Sequence, residues 1–131
     1  MKIAVIITRT LMGLGFVVFG ANIIHSFLPQ PTFPAGSPTA QFMAVMVPTH
    51  WMTLVGWVQL IGGLLLLYGG TAPLGLVMLG PVLVNILAFH MCVQGGNGIV
   101  PGVVFSVIEI FLLYAYRSYF SSLFTASASP N

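Results

Sequence analysis

Only a few side chains in this sequence could do chemistry, and most lie inside long apolar runs. Glu109 is the single acidic residue among 131. Asn22, Gln59 and Asn85 are the amides that interrupt the other apolar segments, giving about one polar residue per segment. His25, His50 and His90 fall near the ends of such segments, with Met46, Met52, Met91 and the lone Cys92 close to them in sequence. A carboxylate and amides in hydrocarbon are costly, so each needs a partner or a task. A lone carboxylate there must take up a proton or find a cation. Imidazole with soft sulfur suits zinc or copper. However, no HxxxH or CxxC spacing places two ligands on one helix face. His25, His50, His90 and Cys92 are therefore candidate metal ligands by type alone, and interfacial hydrogen-bonding groups by the plainer reading. No Ser-His-Asp set, phosphate-binding glycine loop or carboxylate pair can be assembled, and one acidic residue cannot supply two-carboxylate chemistry.

Composition dictates what positions these groups. The chain is 58% hydrophobic and 3% charged, against about 25% charged in a soluble domain. Its formal net charge of +2, without any basic stripe, excludes nucleic acid as a partner. One cysteine excludes an internal disulfide. Four segments approach the roughly 20 apolar residues of a spanning helix: about 3–27, 51–68, 72–93 and 102–120. They lack the alternation of barrel strands, so helices are expected. The first run exceeds the length of a signal-peptide core and has no small-x-small site after it, so it reads as a retained span. The fold class is thus all-α, a single domain over 1–131: an integral membrane four-helix bundle with lipid as its main contact.

Pro29, Pro31, Pro34 and Pro38 make the first connection extended. Gln41 to Val47 reads as a short amphipathic helix lying at the interface, between the first and second spans. Glycine-rich turns join the other spans, and the tail 121–131 is small, polar and expected to fray. Gly13 with Gly20, and Gly56 with Gly63, each share a helix face that admits close backbone approach. Pro81 is expected to kink the third span. Lys2, Arg9 and Arg117 gather at one end and no connecting loop carries Lys or Arg, which puts both termini in the cytoplasm of an inner (plasma) membrane. Tyr68, Tyr114, Tyr116 and Tyr119 then form an inner aromatic belt, and Trp51 stands at the outer one.

This topology, with 1.5 Å per residue, places Gln59 and Glu109 roughly 12 Å below the outer boundary. Asn22 and Asn85 come out a little shallower, and the three histidines fall at the outer end. Two readings follow. One is interhelical hydrogen bonding that fixes register. The other is a pocket centred on Glu109 for a quinone-like or other small polar-headed ligand. Arg9 either snorkels to the inner interface or reaches Glu109, and snorkelling is the preferred expectation; Arg117 snorkels.

The order of these segments resembles the DoxX family. The stretches are Gly13 to Asn22, His25-Ser26-Phe27-Leu28-Pro29 with the proline-rich loop after it, Gly62 to Leu67, Ala72-Pro73-Leu74 through Pro81 to His90, and Glu109 to Arg117. The resemblance runs from about Thr8 to Phe120. It implies a four-helix bacterial inner-membrane protein associated with quinone-linked redox chemistry, thiol stress or membrane complexes. By position it marks Asn22, His25, Asn85, His90, Glu109 and Arg117. Relatives often carry an acidic residue where this chain has Gln59, a departure that puts a proton-transfer role at that position in doubt. The implied role is a non-catalytic accessory or small subunit of a quinone-linked membrane complex, with other membrane subunits or further copies of itself as partners. The alternatives are a quinone-interacting oxidoreductase component and an outer-face metal-binding membrane protein.

Overall fold

The computed structural model describes residues 1–126 and 128–131, and among them it contains helices and no strands. Five α-helices follow one another: α1 (Lys2–His25), α2 (Pro38–Met46), α3 (Trp51–Leu67), α4 (Ala72–Ala88) and α5 (Val100–Ala115). A π-helical turn, Phe89–Val93, extends α4, and 3-10 turns at Arg117–Tyr119 and Ser121–Phe124 follow α5. By length and composition, Lys2–His25 and the continuous helical stretch Gly69–Val93 suffice to cross a membrane. A third crossing is available if α2 and α3, bent by 83° at their junction, are counted together.

Glycine sets how α1 and α3 pack. A methyl added at Gly20 would lie 2.6 Å from the Leu60 amide nitrogen and 2.7 Å from the Gly56 carbonyl oxygen. One at Gly63 would lie 2.8 Å from both the Gly13 carbonyl oxygen and the Val17 nitrogen. Gly13 opposes Gly63 and Gly20 opposes Gly56, so the two helices run antiparallel with their backbones nearly touching, the close approach that small residues permit. The α3–α4 contact repeats the device more loosely: Gly75 faces the Gly62 carbonyl and Leu66, and the Leu79 side chain fills the space over Gly62. α5 returns along α4, with Gly102 against Ile86 and Leu87. Phe105 closes onto α1 through Phe16, with ring centroids 5.3 Å apart, and lies over Gly15. Met12, Phe16, Leu66, Ala72, Leu76, Leu79, Leu83 and Leu112 form the buried core.

The boundaries differ from expectation in two places. The short helix before α3 begins at Pro38 rather than Gln41. Ser37 caps it, its hydroxyl accepting from the Ala40 amide at 3.2 Å, and Pro38 occupies the first turn, where its missing N–H costs nothing. α5 ends at Ala115 rather than near Phe120, and its chain tightens into 3-10 turns while Arg117 Nη1 donates back to the Tyr114 carbonyl at 3.0 Å. α4 continues through Pro81 as one helix to Ala88. Within the tail, Ser121–Phe124 forms a 3-10 turn.

Candidate functional site

Glu109 and Gln59 are the two predicted polar groups that the helices bury, each 4% exposed. They occupy different interfaces. Gln59 stands on α3 facing α1, its Cβ 3.1 Å from where a Gly20 methyl would be. Glu109 projects from α5 toward α4, its Oε1 3.5 Å from a methyl position on Gly80. Neither carboxylate oxygen of Glu109 has a hydrogen-bond partner among the described residues. A buried acceptor left unsatisfied costs about 1–3 kcal/mol, more if charged. Among the described residues this carboxyl has neither oxygen bonded, and the only other buried side-chain atom without a partner is Arg9 Nε.

Asn22 and Asn85 are not drawn to it. The Asn22 side-chain oxygen accepts from the Leu28 amide at 2.8 Å and from Gln30 Nε2 at 3.4 Å, tying down the chain as it leaves α1. Ser26, in the left-handed conformation (φ 43°), makes the reversal, its amide bonding the Asn22 carbonyl. Asn85 is exposed on α4, and its amide nitrogen donates to the Pro81 carbonyl of its own helix at 2.9 Å. The expected cluster of Asn22, Gln59, Asn85 and Glu109 resolves into two local backbone clamps, a buried amide and a buried carboxyl. No hydrogen bond links any two of the four among the described residues.

Arg9 neither pairs with Glu109 nor turns away from the protein. Its Nη1 donates to the Leu66 and Leu67 carbonyls at 2.8 and 3.2 Å. Thr71 Oγ1 donates to the Leu65 carbonyl at 2.8 Å, and the Tyr68 amide reaches the Leu64 carbonyl. All four terminal carbonyls of α3 thereby have donors, which answers both the unsatisfied groups of a helix end and its negative dipole. Gly69 lies under the guanidinium, where a methyl would come within 2.8 Å of Nη1. Sequence reasoning missed this cap. Its signal was the Gly69-Gly70-Thr71 step after α3, with a basic residue about two turns into α1. Lys2 is exposed at the start of α1.

The histidines stay apart in their bonding. His25 is exposed at the end of α1, and exposed His50 adopts φ 60° just before α3. His90 lies in the π-helical turn, its Nδ1 2.9 Å from the Asn97 carbonyl. A carbonyl only accepts, so Nδ1 carries the proton and Nε2 of a neutral ring keeps its lone pair. The loop Gly95-Gly96-Asn97-Gly98 bends onto this ring by placing all three glycines at positive φ, where a Cβ is disfavoured. Cys92 is a free, exposed thiol. Among the described residues no group of three or more His, Cys, Asp or Glu is placed to hold a metal ion. α2 docks on the same end, with Phe42 against Phe89 (5.0 Å between centroids) and buried Thr39 donating to the Val93 carbonyl at 3.5 Å.

No family model, curated protein or solved structure matches the chain.

Proposed function

We propose that this protein is a four-helix integral membrane protein resembling the DoxX family, and that it serves as a non-catalytic accessory or small subunit of a quinone-linked redox complex in a bacterial inner membrane. α1, α3, α4 and α5 are its spans, α2 lies in the outer interface, and both termini are cytoplasmic. The observation that carries the membrane setting is the outward face of every span. Ile6, Leu14 and Val18 on α1, Leu54, Ile61 and Leu64 on α3, Val77 and Val84 on α4, and Val107 and Ile110 on α5 are all exposed. Soluble monomers rarely carry contiguous apolar patches beyond a few hundred Å². α3 and α5, 17 and 16 residues long, reach only about 24–26 Å. Local bilayer thinning, the aromatic ends and neighbouring subunits accommodate such a shortfall.

Support for a subunit role comes from the tight α1–α3 seam and the short turn at Gly69–Thr71. Purification from native membranes in mild detergent tests it. Co-elution with redox subunits in fixed ratio is expected, and a chain that emerges alone at every detergent concentration contradicts it.

A second reading, a quinone-interacting component, is favoured by the unsatisfied Glu109 carboxyl. Quinone binding by the purified protein should weaken in Glu109→Gln and persist in His90→Ala, whose ring is already bonded to the Asn97 carbonyl. Equal binding in all three proteins removes Glu109 from any such site.

A further inference from the structure

The end of the protein that gathers its cations also carries an apolar groove of about 330 Å³, lined by Val77 of α4, Leu113 of α5, Arg117, Phe120 between the two 3-10 turns, and Leu123 and Phe124 of the second. Its walls are hydrocarbon and aromatic, and its one charged lining residue is Arg117. That guanidinium is not loose: its carbon lies 4.3 Å from the Tyr114 ring centroid and its Nη1 donates to the Tyr114 carbonyl at 3.0 Å. Nε and Nη2 make no hydrogen bond among the described residues, so a forked pair of donors stays available beside the groove.

The charge balance then selects the occupant. The chain has three basic side chains and one acidic one. The acidic one, Glu109, is buried and bonded to nothing, so no side-chain carboxylate can answer Arg117. Arg9 is differently placed, because the Leu66 and Leu67 carbonyls already occupy it. We propose that Arg117 and this groove form a binding site for an anionic phospholipid, with the phosphate held by the guanidinium fork and an acyl chain laid along Val77, Leu113, Phe120, Leu123 and Phe124. Planar guanidinium suits bidentate phosphate recognition. A site built of one cation and a long apolar trough matches a lipid better than a free anion. The 3-10 turns after α5 gain a purpose: they fold the tail back to build the outer wall of the trough.

This inference rests on the membrane reading above, and the test keeps the two apart. The full chain is extracted and exchanged into detergent containing equal amounts of phosphatidylglycerol and phosphatidylcholine, and retained lipid is read by native mass spectrometry. The wild type should keep one phosphatidylglycerol per chain in preference to phosphatidylcholine. Arg117→Gln should lower that retention roughly fivefold, the effect of one interfacial cation, and Leu113→Trp, which fills the trough, should lower it comparably. Lys2→Gln, which removes a charge at the same end, should leave it unchanged. Equal retention in Arg117→Gln, or equal loss in Lys2→Gln, overturns the site. Displacement of the lipid by inorganic phosphate alone also overturns it, since it reduces the site to a simple anion contact. Resistance of each variant to alkaline extraction from membranes reads the membrane setting separately. If the wild type itself washes off, the membrane reading has failed; if it stays embedded without bound phosphatidylglycerol, only the lipid site has.

Discussion

The α1–α3 seam and the α4–α5 seam use opposite solutions to the same packing problem. Between α1 and α3, glycine backbones meet, the α3 end is fully bonded through Arg9, Thr71 and the Tyr68 amide, and the one buried polar side chain, Gln59, lies against Gly20. Between α4 and α5, Gly80 leaves ordinary van der Waals space, the Glu109 carboxyl faces it without a partner, and a groove opens at the Arg117 end. A seam of touching glycine backbones, with the last carbonyls of α3 capped, has no slack and holds the fold together. The α4–α5 seam keeps ordinary van der Waals space beside an acid with no hydrogen-bond partner among the described residues, and the proposed ligand reading puts its chemistry there.

Substitutions can break or sharpen that contrast. The largest effect should come from Gly20→Ala, because the new methyl meets backbone atoms that cannot rotate away. A loss of roughly 3 kcal/mol, the upper part of the usual overpacking range, is expected, measured by unfolding in mixed micelles. Arg9→Gln should follow, at about 2 kcal/mol, since it uncaps two carbonyls served by a charged donor. Hydrogen exchange should localise its damage to the last turn of α3. Across the molecule, Glu109→Leu should act in the opposite sense. Deleting an unsatisfied buried carboxyl while keeping apolar bulk should raise stability by roughly 1–2 kcal/mol, and it should lower any ligand-linked activity at the same time. A stability loss there would mean that Glu109 has a structural partner. Gly80→Ala should be the mildest, within about 0.5 kcal/mol, the usual range for substitutions that strain nothing. A loss as large as that of Gly20→Ala would erase the distinction between the two seams.

Much of this arrangement can be read in the sequence, for identifiable reasons. The seven-residue steps Gly13–Gly20 and Gly56–Gly63 predict the α1–α3 seam because heptad spacing returns to one helix face and only glycine admits backbone contact. Burial of Gln59 and Glu109 follows from the cost of leaving either beside hydrocarbon. The starts of α3 at Trp51 and α4 at Ala72 coincide with the expected ones, since the Pro48 to His50 segment and the Gly69-Gly70-Thr71 turn interrupt the apolar runs there. What escapes is local competition for backbone groups. Asn22 and Asn85 look like cluster members in a linear reading, yet each satisfies nearby backbone, the habit of short amide side chains. Arg9 as a cap on α3 depends on a contact 57 residues away, which no periodicity encodes. The early end of α5 is hidden because Tyr116 to Phe120 are as compatible with helix as with the tightened turns they form.

The proposed role and the lipid site both require that the chain cross a bilayer with its cationic end inward. Site-directed thiol labelling tests this directly, because Cys92 is the only native thiol. In a Cys92→Ala background, Thr32→Cys reports the proline-rich connection and Ser118→Cys reports the Arg117 end. An impermeant maleimide applied to intact spheroplasts should label Thr32→Cys at once and Ser118→Cys only after the membrane is opened. Labelling of Ser118→Cys in sealed spheroplasts, with Thr32→Cys protected, would contradict the orientation. Labelling of both before lysis would contradict the four-span topology itself.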